Sequence, residues 1–152
     1  MGIVNAKIVD DGVESIGYAI PSNVAVSIAE NIINYCYDTD VEMVQRALLG
    51  IKVSSSDPKA IYDFESGVLK IQETVSVYEI SEGSIASGVL EIGDVFVSAS
   101  LNDKLTKITR QYHIIDMMLD VRVGDTVTLT VIRGGEKIRL SITITEDCLT
   151  AY

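Results

Sequence analysis

The residues that most often carry acid–base or nucleophilic chemistry are sparse in this sequence. Among its 152 residues His113 is the single histidine, and the two cysteines, Cys36 and Cys148, are far apart. A serine or cysteine nucleophile needs a base within hydrogen-bond reach, usually a histidine that a carboxylate orients. His113 begins a helix-like segment, and the sequence contains no Gly-x-Ser-x-Gly or Gly-Asn-Ser-Gly-Gly stretch. We therefore expect no catalytic residue within this chain.

Metal and cofactor sites also lack their usual sequence patterns. The spacing of Cys36 and Cys148 is neither that of a metal knuckle nor that of a disulfide framework, and two isolated buried thiols are expected. Carboxylates are plentiful, but they fall in turns or on polar faces, without the spacing of a calcium loop. The sequence contains no dinucleotide fingerprint and no phosphate-binding loop. We expect no metal and no cofactor.

The charge balance excludes two classes of partner. Lys and Arg number 12 against 22 Asp and Glu, which gives a net charge of −10. Nucleic acids and anionic membrane surfaces both require a basic footprint, so neither is expected as a direct partner. With 47% hydrophobic residues the chain has enough apolar material for a core. No apolar run is long enough to span a bilayer, and the N-terminus lacks the basic start of a signal peptide.

One short segment has the residue types of an anion-binding loop. Residues 46–51 read Arg-Ala-Leu-Leu-Gly-Ile, a small glycine-containing loop that runs into an apolar strand. Such a loop aims several backbone N–H groups at one point, which is a recurrent way to hold a peptide carboxylate. The start of an ordinary strand is the simpler interpretation of these six residues alone. The choice depends on the elements that surround the loop.

Before the loop, the pattern predicts a β-hairpin followed by a helix. Two apolar, β-branched runs within residues 3–20 flank a turn signal at residues 10–12. Ser22 is the expected N-cap of the helix, because apolar residues recur after it at helical spacing. Helical structure is also expected over residues 41–46. We place a boundary near Arg46.

Beyond Arg46 the pattern is one of short strands. Strands are predicted at residues 48–53, 68–77 and 95–99. A polar loop and an irregular stretch are expected over residues 54–66, and a helical turn over residues 84–89. A helix is predicted over residues 112–121, since its apolar residues fall on one helical face. The clearest element is a hairpin over residues 126–145, where apolar and polar residues alternate on both sides of Gly134-Gly135.

Taken in order, these pieces resemble the C-terminal part of the HtrA/Deg family of trypsin-like serine proteases. Residues 12–23 contain Gly-Tyr-Ala-Ile-Pro, which is similar to the family's segment at the end of the protease domain. Residues 46–51 look like the family's start of a PDZ domain, and residues 83–95 look like its middle segment. Residues 124–133 match the family's closing hairpin most closely. Ile85 departs from the family, which has a proline there.

The resemblance implies an α+β fold in two parts. Residues 1–45 are expected to be the last hairpin and helix of a trypsin-like β-barrel. Residues 46–146 are expected to form one PDZ domain, a partly open β-barrel or sandwich with two helices, and residues 147–152 a tail. The family's catalytic residues precede the strand that begins near Ile3. By resemblance the chain is therefore a fragment of a serine endopeptidase that is inactive alone.

The resemblance also implies a peptide-binding site. In a PDZ domain the C-terminal residues of a ligand add as a strand beside the first strand and against the second helix. Leu49 and Gly50 are expected to donate N–H groups to the ligand's carboxylate. The predicted peptide-binding residues are Arg46, Leu49, Gly50, Ile51, Val53, His113, Met117 and Val121. The core is expected to take the other apolar residues of the helix: Ile114, Ile115, Met118 and Leu119. Met117 as a core residue stays an alternative.

The function implied is that of a substrate-sensing module of an extracytoplasmic quality-control protease, in a bacterial cell envelope or secreted. Its expected partners are peptides or unfolded proteins with hydrophobic C-termini. The intact protein is expected to be a homo-oligomer, and this chain to dimerise through its N-terminal hairpin. Two alternatives stay open, a stand-alone PDZ-type scaffold and a protease relative that only assembles oligomers. Without the resemblance, the residues support only a soluble α/β binding domain without catalytic groups.

Overall fold

The computed structural model describes residues 2–10, 13–36 and 45–151. The first elements are a hairpin and a helix, followed by a long strand pair. In chain order the elements are β1 (Gly2–Asp10), β2 (Val13–Pro21), α1 (Ser22–Cys36), β3 (Gln45–Ala47), β4 (Ile51–Asp63), β5 (Val68–Ile80), β6 (Val95–Leu101), β7 (Lys104–Lys107), α2 (Tyr112–Asp120), β8 (Thr126–Arg133), β9 (Glu136–Thr143) and β10 (Leu149–Ala151). A 3-10 turn covers Glu146–Cys148.

The strands form three antiparallel groups. β1 pairs with β2, and β3 pairs with β10. The larger sheet has the order β4-β5-β6-β8-β9, with β7 paired to β6. Within the described part of the chain, β4 and β9 are the two ends of this order, so one edge of β4 carries no strand. The α+β class predicted from the sequence is confirmed: the described residues form open sheets and two α-helices. Only one of these helices, α2, lies within residues 46–146, where two were expected.

The hairpin of β8 and β9 forms as the alternation predicts. Val127, Leu129 and Val131 are 0% exposed, and Ile142 lies beside them in the same core. Gly134 and Gly135 have φ angles of 59° and 89°, the left-handed values that a tight two-residue hairpin turn requires. The predicted N-terminal hairpin and the helix that begins at Ser22 are also present, although the turn at residues 11–12 lies outside the described residues.

Two Gly-Asp turns bring strands to the core in the same way. The Asp94 carboxylate accepts the N–H of Glu91 at 2.9 Å, and the Asp125 carboxylate accepts that of Arg122 at 2.8 Å. Each turn also donates the N–H of its glycine, residue 93 or 124, to a strand or strand-end carbonyl at 2.8–2.9 Å. The recurrence of Gly-Asp before a strand in the sequence thus marks one repeated turn.

The prediction of a loop and an irregular stretch over residues 54–66 is wrong. Both strands of this region continue for 13 residues, so that β4 and β5 form a long ribbon. A register shift separates Ser56 from Lys59, next to Asp57, whose φ is 52°. The ribbon is exposed on both faces beyond the core, so its strands lack the alternation of a half-buried strand. The pattern therefore looked like a loop.

Three shorter predictions are also corrected. Of residues 41–46, which were expected to continue helically, residues 45 and 46 belong to strand β3, while residues 41–44 lie outside the described residues. The expected C-terminal tail contains β10, which pairs with β3, and strands of three residues are too short to show a periodicity. Residues 84–89 form successive turns, with Ser87 N–H donating to the Ser84 carbonyl at 2.9 Å, and no helix. Cys148 is a buried free thiol, as predicted.

Candidate functional site

An apolar groove of about 580 Å³ lies between the unpaired edge of β4 and helix α2. One end is closed by residues 46–50, and the groove runs along the first three residues of β4. The residues that line it are Arg46, Ala47, Leu48, Leu49, Gly50, Ile51, Lys52, Val53, Ser81, Gln111, Ile114, Ile115, Met118 and Leu119. Its volume is in the range typical of ligand-binding clefts. All five site residues predicted before the helix, from Arg46 to Val53, line this groove.

The loop at Leu49 and Gly50 is held by its carbonyl groups. The Gly50 carbonyl accepts the N–H of Ser81 at 2.8 Å, and the Leu49 carbonyl accepts that of Ala86 at 3.3 Å. Among the described residues, neither the Leu49 N–H nor the Gly50 N–H donates to a backbone carbonyl. Backbone N–H groups in such a concave turn are suited to an anion. The loop can therefore offer donors to a carboxylate at the end of the groove.

Gly50 is required at its position for two reasons. Its φ is +73°, in the left-handed region that residues with a Cβ rarely adopt. A Cβ built there would also stand 2.2 Å from the Cβ of Ser84, well inside van der Waals contact. At position 50 the backbone of the loop therefore lies so close to the turn at residues 81–86 that a residue with a Cβ does not fit.

The strand side of the groove has an apolar floor, and a charged pair lies on the opposite face of the sheet. Ile51 and Val53 are half-buried and pack against the core. Between them, Lys52 points to the other face of the sheet, where its Nζ lies 2.8 Å from the Glu79 carboxylate on β5. The hydrogen bond to Glu79 raises the pKa of Lys52. Among the described strands, none pairs with the outer edge of β4, which is the arrangement that binds an extended peptide by strand addition.

The helix side of the groove is lined by one stripe of α2. Ile115 is 56% exposed, whereas Ile114 and Met118 are nearly buried and contribute to the core as well. Gln111 stands at the N-terminal end of the stripe and Leu119 at the other. The sequence assigned the apolar members of this stripe to the core. Ile115 in particular is a groove residue that sequence reasoning missed.

The stripe predicted for the helix side does not line this groove. His113 and Met117 border a separate cavity of about 260 Å³, which Asn23 and Ser27 of α1 also line. Met117 is 8% exposed, which agrees with the alternative that it is a core residue, and Val121 is 0% exposed. Helix α1 contacts α2. It therefore lies on the face of α2 that contains His113 and Met117, which was predicted to face the peptide.

The helix sequence contained little that distinguishes the two faces. Apolar residues, with Tyr112 included, occupy seven of the ten positions from 112 to 121, so apolar stripes appear on more than one side. The position of α1 decides which side is covered, and that packing is not encoded in the periodicity of α2. The exposed side of α2, with Gln111 and Ile115, is the side left for the groove.

His113 is held by its neighbours in the chain. Its Nδ1 accepts the N–H of Thr109 at 3.2 Å. Burial lowers the pKa of His113, the negative charge of Asp116 opposes this shift, and the positive charge of Arg110 adds to it. Asp116, one turn further on, has a pKa raised by burial. The neutral imidazole of His113 thus stabilises the loop before α2 by accepting the Thr109 N–H.

The described residues contain no group of three or more His, Cys, Asp or Glu side chains that could hold a metal ion. Among the same residues, no helix has the length and hydropathy needed to cross a membrane.

Comparisons with known proteins agree with the resemblance noted in the sequence. The chain is 30% identical over 152 residues to the serine protease Do-like HtrB of Bacillus subtilis, and 26% identical over 148 residues to HtrA of the same organism. The matches cover 97% and 93% of this chain but only 31% of either relative. No protein-family profile matches the sequence.

Solved structures of HtrA-type proteases share the fold. One of the protease AlgW with a decapeptide has a TM-score of 0.60 at 24% identity, covering 95% of this chain and 41% of that one. A serine endoprotease from Yersinia pestis has a TM-score of 0.54 at 26% identity, over 95% of this chain and 42% of that one. The chain therefore is HtrA-family sequence along most of its length. It spans about a third of the length of the curated relatives that it matches.

Proposed function

We propose that this chain is a PDZ-type module that binds the hydrophobic C-termini of peptides and unfolded proteins. The observation that carries the proposal is the groove between β4 and α2, closed at one end by the N–H groups of Leu49 and Gly50. A peptide added to the β4 edge gains main-chain hydrogen bonds, while its carboxylate reaches the loop. Ile51 and Ile115 offer apolar surface to its last side chains.

The peptides in two of the similar structures support this proposal. One AlgW structure holds a decapeptide and another holds a tripeptide. We propose that residues 46–146 are the module and that residues 1–45 belong to the end of a protease domain. In a protein of this family the module would bind the hydrophobic C-termini of misfolded substrates and regulate an extracytoplasmic quality-control endopeptidase.

We propose that proteolysis is not carried out by the residues of this chain. The single histidine has its Nδ1 engaged with the Thr109 N–H, so this nitrogen is not available as a base for a serine. The isolated chain should not react with a fluorophosphonate probe. Covalent labelling of any of its serines would contradict the proposal.

A pair of peptides tests the carboxylate site directly. An apolar peptide with a free C-terminus should bind with an affinity of roughly micromolar, and chemical shifts should change along residues 49–53 and around Ile115. The same peptide with an amidated C-terminus loses charge-assisted hydrogen bonds of about 1.5–3 kcal/mol, so binding should weaken about ten- to a hundredfold. Equal affinity for the two peptides, or shifts confined to the α1 side of α2, would overturn the proposal.

A further inference from the structure

The ribbon of β4 and β5 extends far beyond the groove. From Lys59 to Gln72, the described sheet places no third strand beside it, because β5 pairs with β6 only at Ser76. Its base is fixed to the start of α2 by the ion pair of Glu73 with Arg110, whose Oε1 and Nε are 3.1 Å apart. A two-stranded ribbon gains little stability from its own contacts in water. Several apolar side chains toward the tip of the ribbon stay uncovered by the described residues.

Several large apolar side chains on this ribbon are exposed. Phe64 at the tip is 89% exposed and packs edge-on against Tyr62, with the ring centroids 5.0 Å apart. Ile71 is 44% exposed, and Leu105 on the neighbouring β7 is 64% exposed. Scattered apolar residues are normal on a surface, but a contiguous group marks a binding surface.

These side chains surround one open hollow of about 1020 Å³ between the ribbon and the start of α2. We name it the ribbon hollow. Its apolar lining residues are Ile61, Tyr62, Phe64, Ile71, Leu105 and Tyr112. Leu69 is 70% exposed on the same ribbon but does not belong to this lining. The hollow is therefore a defined place on the ribbon, distinct from the rest of its apolar surface.

The ribbon hollow continues the groove along two elements. The two linings adjoin in the segment before α2, where Gln111 lines the groove and its chain neighbours Arg110 and Tyr112 line the hollow. Strand β4 forms a wall of both, with residues 51–53 in the groove and residues 61–63 in the hollow. A peptide whose carboxylate lies at Gly50 and which runs antiparallel to β4 is led toward the hollow.

We propose that the ribbon hollow is a second subsite for the same ligand, which binds apolar side chains upstream of the C-terminus. The inference rests on the function proposed above and defines its ligand class as long, unstructured C-terminal segments. A ligand strand paired with β4 advances at the same ~3.3 Å per residue as β4 itself, so it reaches residues 61–63 roughly ten to twelve positions before the carboxylate. Shorter ligands fill the groove alone.

Charge favours an unfolded segment over a second copy of this chain as the occupant. The chain carries a net charge of −10, so two copies repel each other at neutral pH. The ionic residues around the hollow include both signs, with Lys70, Lys107 and Arg110 near Asp63 and Glu65. An apolar, uncharged peptide segment meets no such repulsion.

Three peptides with the same four C-terminal residues test the inference by fluorescence anisotropy. The first has four residues, the second has twelve with leucine and phenylalanine upstream, and the third has twelve with serine and glycine upstream. The apolar twelve-residue peptide should bind about tenfold more tightly than the four-residue peptide, and the serine-glycine peptide should match the four-residue one. If both long peptides bind like the short one, the inference is overturned and the proposed function stands. If none of the three binds, both are overturned.

Substitutions distinguish binding in the ribbon hollow from nonspecific binding to other exposed apolar side chains. Leu105→Ser and Ile71→Ser should each remove most of the tenfold gain and leave the affinity of the four-residue peptide unchanged. Leu69→Ser is the matched control, since it removes a more exposed leucine outside the hollow, and it should keep the gain. Loss of the gain in Leu69→Ser to the same extent would overturn the inference. So would sedimentation showing a dimer that Leu105→Ser dissociates, because a second copy would then occupy the hollow.

Discussion

Arg133 at the end of β8 holds the buried carboxylate of Asp94 with two hydrogen bonds. Arg133 Nε lies 2.8 Å from Asp94 Oδ1, and Nη2 lies 2.7 Å from Oδ2. The same guanidinium also reaches the Glu91 carboxylate and the Val89 carbonyl, at 2.7 and 2.9 Å. A planar guanidinium matches a carboxylate in this bidentate geometry. The pair therefore ties the Gly-Asp turn before β6 to the β8–β9 hairpin.

The two Gly-Asp turns provide a matched test of this ion pair. Asp94→Asn removes the charge of the fully buried partner and leaves Arg133 with only the more exposed Glu91 as an ionic partner. It should cost about 2–4 kcal/mol of unfolding free energy. Asp125→Asn changes the twin turn, whose carboxylate accepts the N–H of Arg122, and should cost under about 1 kcal/mol because asparagine keeps an acceptor. Urea unfolding of both variants measures the difference. Equal losses would show that the turn geometry matters and the guanidinium does not.

Replacing Gly50 should abolish peptide binding through the position of its loop. Gly50→Ala introduces a Cβ that collides with Ser84 and a residue at φ +73°, so the N–H groups of the loop should move away from the ligand. We expect binding of the free-acid peptide to weaken at least about tenfold. The strain of the φ angle alone should cost about 1 kcal/mol of stability or more.

Two further variants separate the collision from the backbone strain. Gly83 has a φ of +71° and open space around its Cβ position, so Gly83→Ala should lose stability without losing peptide affinity. Adding Ser84→Gly to Gly50→Ala removes the colliding Cβ and should restore part of the binding. If Gly83→Ala weakens binding as much as Gly50→Ala does, the contact with Ser84 is not what positions the loop.

The parts of the fold that were predictable are those where local chemistry and burial agree. In β8 each inward residue is fully buried, so the alternation of Val127, Leu129 and Val131 is strict. The Gly134-Gly135 turn and the two Gly-Asp turns require φ angles that few other residues supply. The ribbon of β4 and β5 was not predictable in this way, because exposure on both faces removes the periodic signal.

The candidate site was predictable only on its backbone side. Residues 46–51 carry a weak local signal, since a glycine before an apolar strand also fits an ordinary strand start, and the resemblance to the HtrA/Deg family decided the prediction. The helix side depends on tertiary packing, because α1 covers His113 and Met117 and leaves Ile115 exposed. No local pattern in α2 records the position of α1.

Substitutions on the two faces of α2 test which face meets the peptide. Ile115→Asp places a carboxylate at a side chain that is 56% exposed. It should change the unfolding free energy by under about 0.5 kcal/mol, while a carboxylate in the apolar groove should weaken peptide binding about tenfold or more. Met117→Asp buries a charge at a residue that is 8% exposed, and should cost more than about 3 kcal/mol. A folded Met117→Asp variant that alone loses binding would restore the face predicted from the sequence.

The free energy of unfolding of the chain should decrease as the pH is lowered, because His113 titrates. Burial lowers the pKa of His113 in the folded protein. In the unfolded chain the pKa of His113 is about 6.5. Between these values the unfolded state binds the proton and the folded state does not, so the free energy of unfolding decreases as the pH falls below about 6.5. Above that pH the contribution of His113 is constant. Protonation of Nδ1 would also end its hydrogen bond with the Thr109 N–H.

An asparagine at position 113 is the control that keeps the acceptor and removes the titration. In urea unfolding from about pH 7.5 to 5.5, the wild-type chain should lose stability, while His113→Asn should vary much less. Asp116 acts in the opposite direction, because burial raises its pKa and the folded state then binds more protons as the pH falls. The charges of His113 and Asp116 also shift each other's pKa, so the same comparison in an Asp116→Asn background isolates His113. A difference that stays constant with pH would contradict the lowered pKa, and one that grows with falling pH in favour of the wild type would reverse its sign.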